Sequence, residues 1–161
     1  MILGILSDTH DQLESIDRIL AHFEERSVEH ILHAGDFIAP FSVKRLGRAG
    51  CPVTAVYGNN DGEVFGIKKA FEGIGEVHER MVRLKMGDRR IAMMHEPDFV
   101  EEIAASGAFD VVIYGHSHDA EVRCVGETLV INPGSGGGVP DGEPCCCVLD
   151  LRSMEATLET V

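Results

Sequence analysis

The chain has 161 residues, 44% apolar and 25% charged, with 14 Lys and Arg against 27 Asp and Glu and a formal net charge of −13. That length is one domain's worth of polypeptide, able to bury roughly two thirds of its unfolded surface. So acidic a chain repels phosphate backbones, so duplex nucleic acid is not an expected partner, whereas cationic partners or bound metal ions are.

Residues 2–6 are a continuous apolar run and read as a strand buried on both faces. Leu13, Ile16, Ile19, Leu20 and Phe23 then recur at helical spacing with charged residues between them. A second strand is expected over 30–34, a short helix from Pro40 to about 48, a third strand over 52–57 and a helix over 64–73. Residues 77–85 and 90–94 read as two strands around a Gly87-Asp88 turn, followed by a helix over about 98–106 and a buried strand over 111–114. Beyond residue 120 the pattern is all strand (121–125, 128–132, 145–151 and 155–161), interrupted by a Gly- and Pro-rich loop over 133–144. The first 115 residues thus alternate strand and helix and the remainder is expected to be antiparallel, giving a single α/β domain over 1–161.

No apolar run approaches the ~20 residues of a membrane span, so no membrane association is expected. The apolar opening residues lack the basic start and small-residue cleavage site of a signal peptide, which makes the cytoplasm the expected location. The five cysteines include the adjacent Cys145, Cys146 and Cys147. Neighbours on a strand point to opposite faces, so this trio cannot form one ligand set, and it reads as reduced strand residues. Structural roles are expected for Cys51 and Cys124 too.

The informative pattern lies after the strands. Asp8 and His10 follow the first, Asp36 the second, and Asn59 and Asn60 the third; His95 ends the 90–94 strand, and His116 and His118 follow the 111–114 strand. In α/β sheets, ligands collect outside the carboxyl ends of strands. Five strand ends that each deliver a metal-competent side chain point to a metal centre. Carboxylate, amide oxygen and imidazole without thiolate suit divalent Mn, Fe, Co, Ni or Zn. Seven ligands exceed what one ion with an open position needs and fit two ions about 3.5–4 Å apart. The competing structural reading of each residue is simple: Asp8 or Asp11 as a helix cap, and residues 59–62 as a turn. His22 and His78 are expected to be exposed, and His30 and His33 packed. Lys44, Arg45, Lys68 and Lys69 read as solvated helix faces.

Ser7-Asp8-Thr9-His10, Gly35-Asp36, Gly58-Asn59-Asn60-Asp61, His95 and Gly115-His116-Ser117-His118 stand in an order that resembles the calcineurin-like metallophosphoesterases, in particular their small, YfcE-like phosphodiesterase branch. Asn132-Pro133-Gly134-Ser135 is similar to that branch as well. The resemblance implies a four-layer α/β/β/α sandwich. It implies one ion held by Asp8, His10 and His118, a second held by Asn59, His95 and His116, and Asp36 bridging them. A hydroxide between the ions would cleave a small phosphodiester. It also implies a homodimer or larger homo-oligomer. The alternatives are a phosphomonoesterase with the same dinuclear site and a non-catalytic protein-interaction scaffold of the same fold.

Two departures from the family pattern qualify the chemistry. Asn60 stands where many members have a histidine that protonates the leaving group. An amide cannot supply that proton, but it can donate a hydrogen bond to a phosphoryl oxygen. The expected preference is therefore for good leaving groups such as aryl esters. Glu96 follows His95 where glycine is common, and is expected to add a carboxylate near the rim of the site.

Overall fold

The computed structural model describes residues 1–140 and 142–161. In chain order the strands are β1 (Ile2–Leu6), β2 (His30–His33), β3 (Val53–Val56), β4 (Gly75–His78), β5 (Met81–Met86), β6 (Arg89–Met94), β7 (Val111–Ile113), β8 (Glu121–Val125), β9 (Thr128–Asn132), β10 (Cys145–Asp150) and β11 (Glu155–Thr160). The helices are α1 (Leu13–Glu25), α2 (Pro40–Leu46, continued by a short 3-10 turn), α3 (Val64–Ala70) and α4 (Val100–Ala105). None of the helices described is long and apolar enough to cross a membrane.

Two sheets form, in the orders β11-β10-β1-β2-β3-β4 and β5-β6-β7-β9-β8. Strands β1 to β4 run parallel, so their carboxyl ends share one edge. In the second sheet β6, β7 and β9 are parallel. The tail after residue 120 is therefore not purely antiparallel as expected: β9 lies parallel to β7, because the β8–β9 hairpin turns it back along the strand that preceded it.

Strand periodicity sorts the core into three layers of contact. Leu3, Ile5 and Leu32 of the first sheet meet Ile91, Met93, Ile113 and Ile131 of the second. The other face of the first sheet packs Leu6, Ile31 and Val53 against Ile16, Ile19 and Phe23 of α1, Val43 of α2 and Ile67 of α3. The other face of the second sheet packs Ala92, Val112 and Val130 against Val100 and Ala104 of α4. The result is the expected α/β/β/α sandwich. Cys146 faces the helices and Cys147 the space between the sheets. Burial pushes both thiols up to about 12, which keeps them protonated and unreactive.

Some expectations fail. Residues 77–85 are not one strand. Val56 pairs with His78 in the first sheet, whereas Met81 pairs with Met94 in the second, so Glu79 and Arg80 carry the chain from one sheet to the other. No glycine or proline marks this switch, because the available strand edges set it. Cys124 is exposed rather than packed. His22 and His78 are half-buried, with His22 Nε2 2.7 Å from a Glu159 carboxylate oxygen on the distant strand β11. Arg45, read as part of a solvated helix face, is paired with Asp17 of α1. Neither Asp8 nor Asp11 caps α1, whose N-cap residue is Gln12.

Candidate metal centre

The seven residues singled out from the sequence converge at the carboxyl edge of the strands. Asp8 and His10 lie on the loop after β1, Asp36 after β2, Asn59 after β3, His95 directly after β6, and His116 and His118 after β7. Two overlapping groups offer ligand atoms within 4.8 Å of one another: Asp8, His10 and His118, and Asp8, Asp36 and His95. The two groups share Asp8, and Oδ2 of Asp36 in the second reaches toward both, 3.8 Å from His10 Nε2 and 3.5 Å from His95 Nε2. Asn59 Oδ1 sits 2.8 Å from His95 Nε2 and 2.9 Å from His116 Nδ1, and so joins the exposed His116 to the His95 side.

The arrangement of donors and acceptors suits a cation. His95 Nδ1 donates to the Ala34 carbonyl at 2.8 Å and His118 Nδ1 to the Val139 carbonyl at 3.2 Å. In the neutral form of each ring the inward-facing Nε2 is then the unprotonated nitrogen, the tautomer a metal ligand requires. For His95 that lone pair meets the Asn59 carbonyl oxygen, and for His118 it meets His10 Nε2 at 3.2 Å. Acceptors this close repel unless a cation or proton lies among them. The Asp8 carboxylate is fully buried, and its Oδ1 has no hydrogen-bond partner. A positive ion would satisfy it, since an uncompensated buried carboxylate is costly.

The backbone is also held unusually. Asp8, His10, Asp36, His116 and His118, five of the seven, have φ between 43° and 70°. Non-glycine residues in this left-handed region carry strain that the surrounding fold must hold in place, and such strain gathers at functional sites.

Comparison with known proteins agrees with this geometry. The profile of the Calcineurin-like phosphoesterase superfamily domain matches residues 1–154. The chain belongs to that superfamily. It is 36% identical over 159 residues to a phosphodiesterase of Methanocaldococcus jannaschii, covering 96% of each protein. The phosphodiesterase YfcE of Escherichia coli is 28% identical over 158 residues, with 89% of this chain and 84% of that one covered. The solved structure of an archaeal phosphodiesterase superposes with a TM-score of 0.94 at 33% identity over the whole of both chains. Relatives named in this way are consistent with a phosphoric diester hydrolase.

Several residues hold this site together in ways that the sequence did not show. Asp61 accepts backbone N–H bonds from Asp36 (3.0 Å), Gly58 (2.7 Å) and Ile38 (2.7 Å), and so clamps the loop after β2 to the loop after β3. Burial lifts its carboxyl above the usual carboxylate range, against the opposing pull of those donors. Asp11 accepts from the Ala39 amide at 3.2 Å and the Ser42 hydroxyl at 2.5 Å, which ties the first loop to the start of α2. The buried His33 accepts from the Gly35 amide at 3.1 Å and lies 3.2 Å from Thr9 Oγ1. Asn132 Nδ2 donates to the Ser117 hydroxyl at 2.9 Å and steadies the loop that carries His116 and His118. These partners lie up to 31 residues apart and leave no periodic trace in the sequence.

Gly58 and Gly115 are among the glycines that leave no room for a side chain. A Cβ on Gly58 would run into Asp36 Oδ1, and one on Gly115 into the Ser7 hydroxyl. Asn60 is exposed, its backbone N–H donating to Asp36 Oδ1 at 2.9 Å and its side-chain amide to Asp36 Oδ2 at 2.7 Å. Beside the His95 end of the site is a cleft of about 350 Å³, and the exposed Glu96 lies on its wall as expected.

Proposed function

We propose that the protein is a metal-dependent phosphodiesterase that holds two divalent ions. Asp8, His10 and His118 would bind one, Asn59, His95 and His116 the other, with Asp36 shared. The observation that carries this reading is the position of Asp36 Oδ2 between the inward-facing imidazoles of His10 and His95. When bound, the ions supply Lewis acidity toward the phosphoryl oxygens and lower the pKa of a water toward 7, so no protein base is needed. Mn, Ni, Fe, Co and Zn all suit this donor set.

The protein's own groups then orient the ester. One N–H of the Asn60 amide is engaged by Asp36, and the second is free to donate to a phosphoryl oxygen. Asn60 supplies no proton to a departing alkoxide, which favours aryl esters that leave as stabilised anions. Diester over monoester is favoured by charge. The cleft beside the site carries the carboxylates of Glu79, Glu96 and Asp98 against the single guanidinium of Arg80. That field opposes a dianionic monoester more strongly than a monoanionic diester.

The test compares hydrolysis of bis(p-nitrophenyl) phosphate and p-nitrophenyl phosphate after EDTA treatment and restoration of Mn or Ni, with Asp36→Asn alongside. Faster metal-dependent cleavage of the diester, at least about 100-fold slower in Asp36→Asn, is the expected result. A reversed preference would make the protein a phosphomonoesterase. Metal binding with no turnover of either ester would leave a scaffold.

A further inference from the structure

The cleft beside the metal centre is built like a binding pocket, and beyond the charge of its rim its apolar wall has no role in the chemistry derived so far. It runs from Asn59 and His95 outward between the loop after β3, the β4–β5 switch and the start of α4. Its volume of about 350 Å³ lies in the range of small-molecule sites. The apolar part of its wall comes from Tyr57, Met81, Met94, Phe99 and Ile103. Aromatic rings and thioethers together make a surface suited to a flat ring.

Phe99 is the unusual member. Its side chain is 71% exposed, and its backbone is left-handed, with φ 64° and ψ 14°. A bulky residue is disfavoured in that conformation, and water is a poor solvent for its ring. Both costs are incurred at the rim of the cleft. Arg80 stands opposite in kind: among the described residues its side chain forms no ion pair, which leaves the planar guanidinium free to stack on a ring. The three carboxylates named above disfavour an anionic occupant.

We propose that this cleft is a subsite for a neutral aromatic ester arm of the substrate, held against Phe99 and Arg80 while the phosphoryl group occupies the metal centre. The inference rests on the phosphodiesterase reading for the identity of the ester, and it specifies what that ester carries. Aromatic diesters are bound through the ring as well as the phosphate, and dialkyl diesters through the phosphate alone.

The test uses two non-hydrolysable anions, diphenylphosphinate and dimethylphosphinate, titrated calorimetrically into the Mn-loaded protein. The wild type is expected to bind the diphenyl anion at least roughly tenfold more tightly, the effect of one good stacking contact. Phe99→Ala should remove most of that preference, and Phe99→Tyr should retain it. Both variants alter an exposed side chain, so folding is not at stake. Equal binding of the two anions by the wild type, a preference unchanged in Phe99→Ala, or no detectable binding of either overturns the subsite. Hydrolysis is read separately. Turnover of bis(p-nitrophenyl) phosphate without a Phe99-dependent preference sinks the subsite alone. A Phe99-dependent preference without turnover sinks the hydrolytic reading alone.

Discussion

Oδ1 of Asp8 faces Nε2 of His118 at 3.3 Å and accepts no hydrogen bond, whereas Oδ2 of the same carboxylate accepts from the Ser7 hydroxyl and from the His116 amide at 3.0 Å. One oxygen is used to build the loop and the other is left for something positive. Metal occupancy should therefore stabilise the fold. An ion at 100 times its dissociation constant adds about 2.7 kcal/mol. Thermal unfolding should show Tm falling on EDTA treatment and rising with added Mn in a concentration-dependent way, and Asp8→Asn should blunt that response. A Tm indifferent to metal would contradict this.

The pH dependence of stability should carry the signature of His33. Burial, aided by the nearby His95 and His10 rings, lowers its pKa from 6.5 to about 3. The unfolded chain therefore binds a proton below pH 6.5 that the folded chain refuses, and stability falls as pH drops from 6.5 toward 3. Between pH 7 and pH 5 this one group should cost about 2 kcal/mol. Urea unfolding of the metal-free protein at the two pH values should show that loss, and His33→Gln should show correspondingly less.

Asp61 is expected to matter for stability more than its place in a turn suggests. Asp61→Ala leaves three backbone N–H groups without their acceptor and should cost about 2–3 kcal/mol. Asp61→Asn keeps an acceptor oxygen and should cost less. Urea midpoints of the two variants, measured without metal, check the order.

Gly115→Ala should damage both the fold and the centre. Its Cβ would collide with the Ser7 hydroxyl and lie 2.8 Å from Asp8 Oδ2, and both neighbours are fully buried. Overpacking of this kind costs about 1–3 kcal/mol, and here the displaced atoms are the ones that position Asp8. A lowered urea midpoint together with weaker Mn binding is expected, and an unchanged variant would show that the loop can give way.

The sequence alone determined most of the strands, though not the division of 77–85 between two sheets, and which polar residues follow them. Those signals are local: an apolar run reads as a strand, and a carboxylate, amide or imidazole directly after it lies at the sheet's carboxyl edge. From that rule Asp8, His10, Asp36, Asn59, His95, His116 and His118 could be grouped with no distances known. Tertiary structure alone decided which oxygen of Asp8 is free and that Asp36 lies between His10 and His95. It also decided that the chain changes sheets at Glu79 and Arg80, which places Arg80 on the wall of the same cleft as Phe99. The pairing of His22 with Glu159 and the Asp61 clamp belong with these. They all depend on which distant segments become neighbours, and a strand edge or a backbone N–H can be satisfied by many partners, so only the folded arrangement selects one.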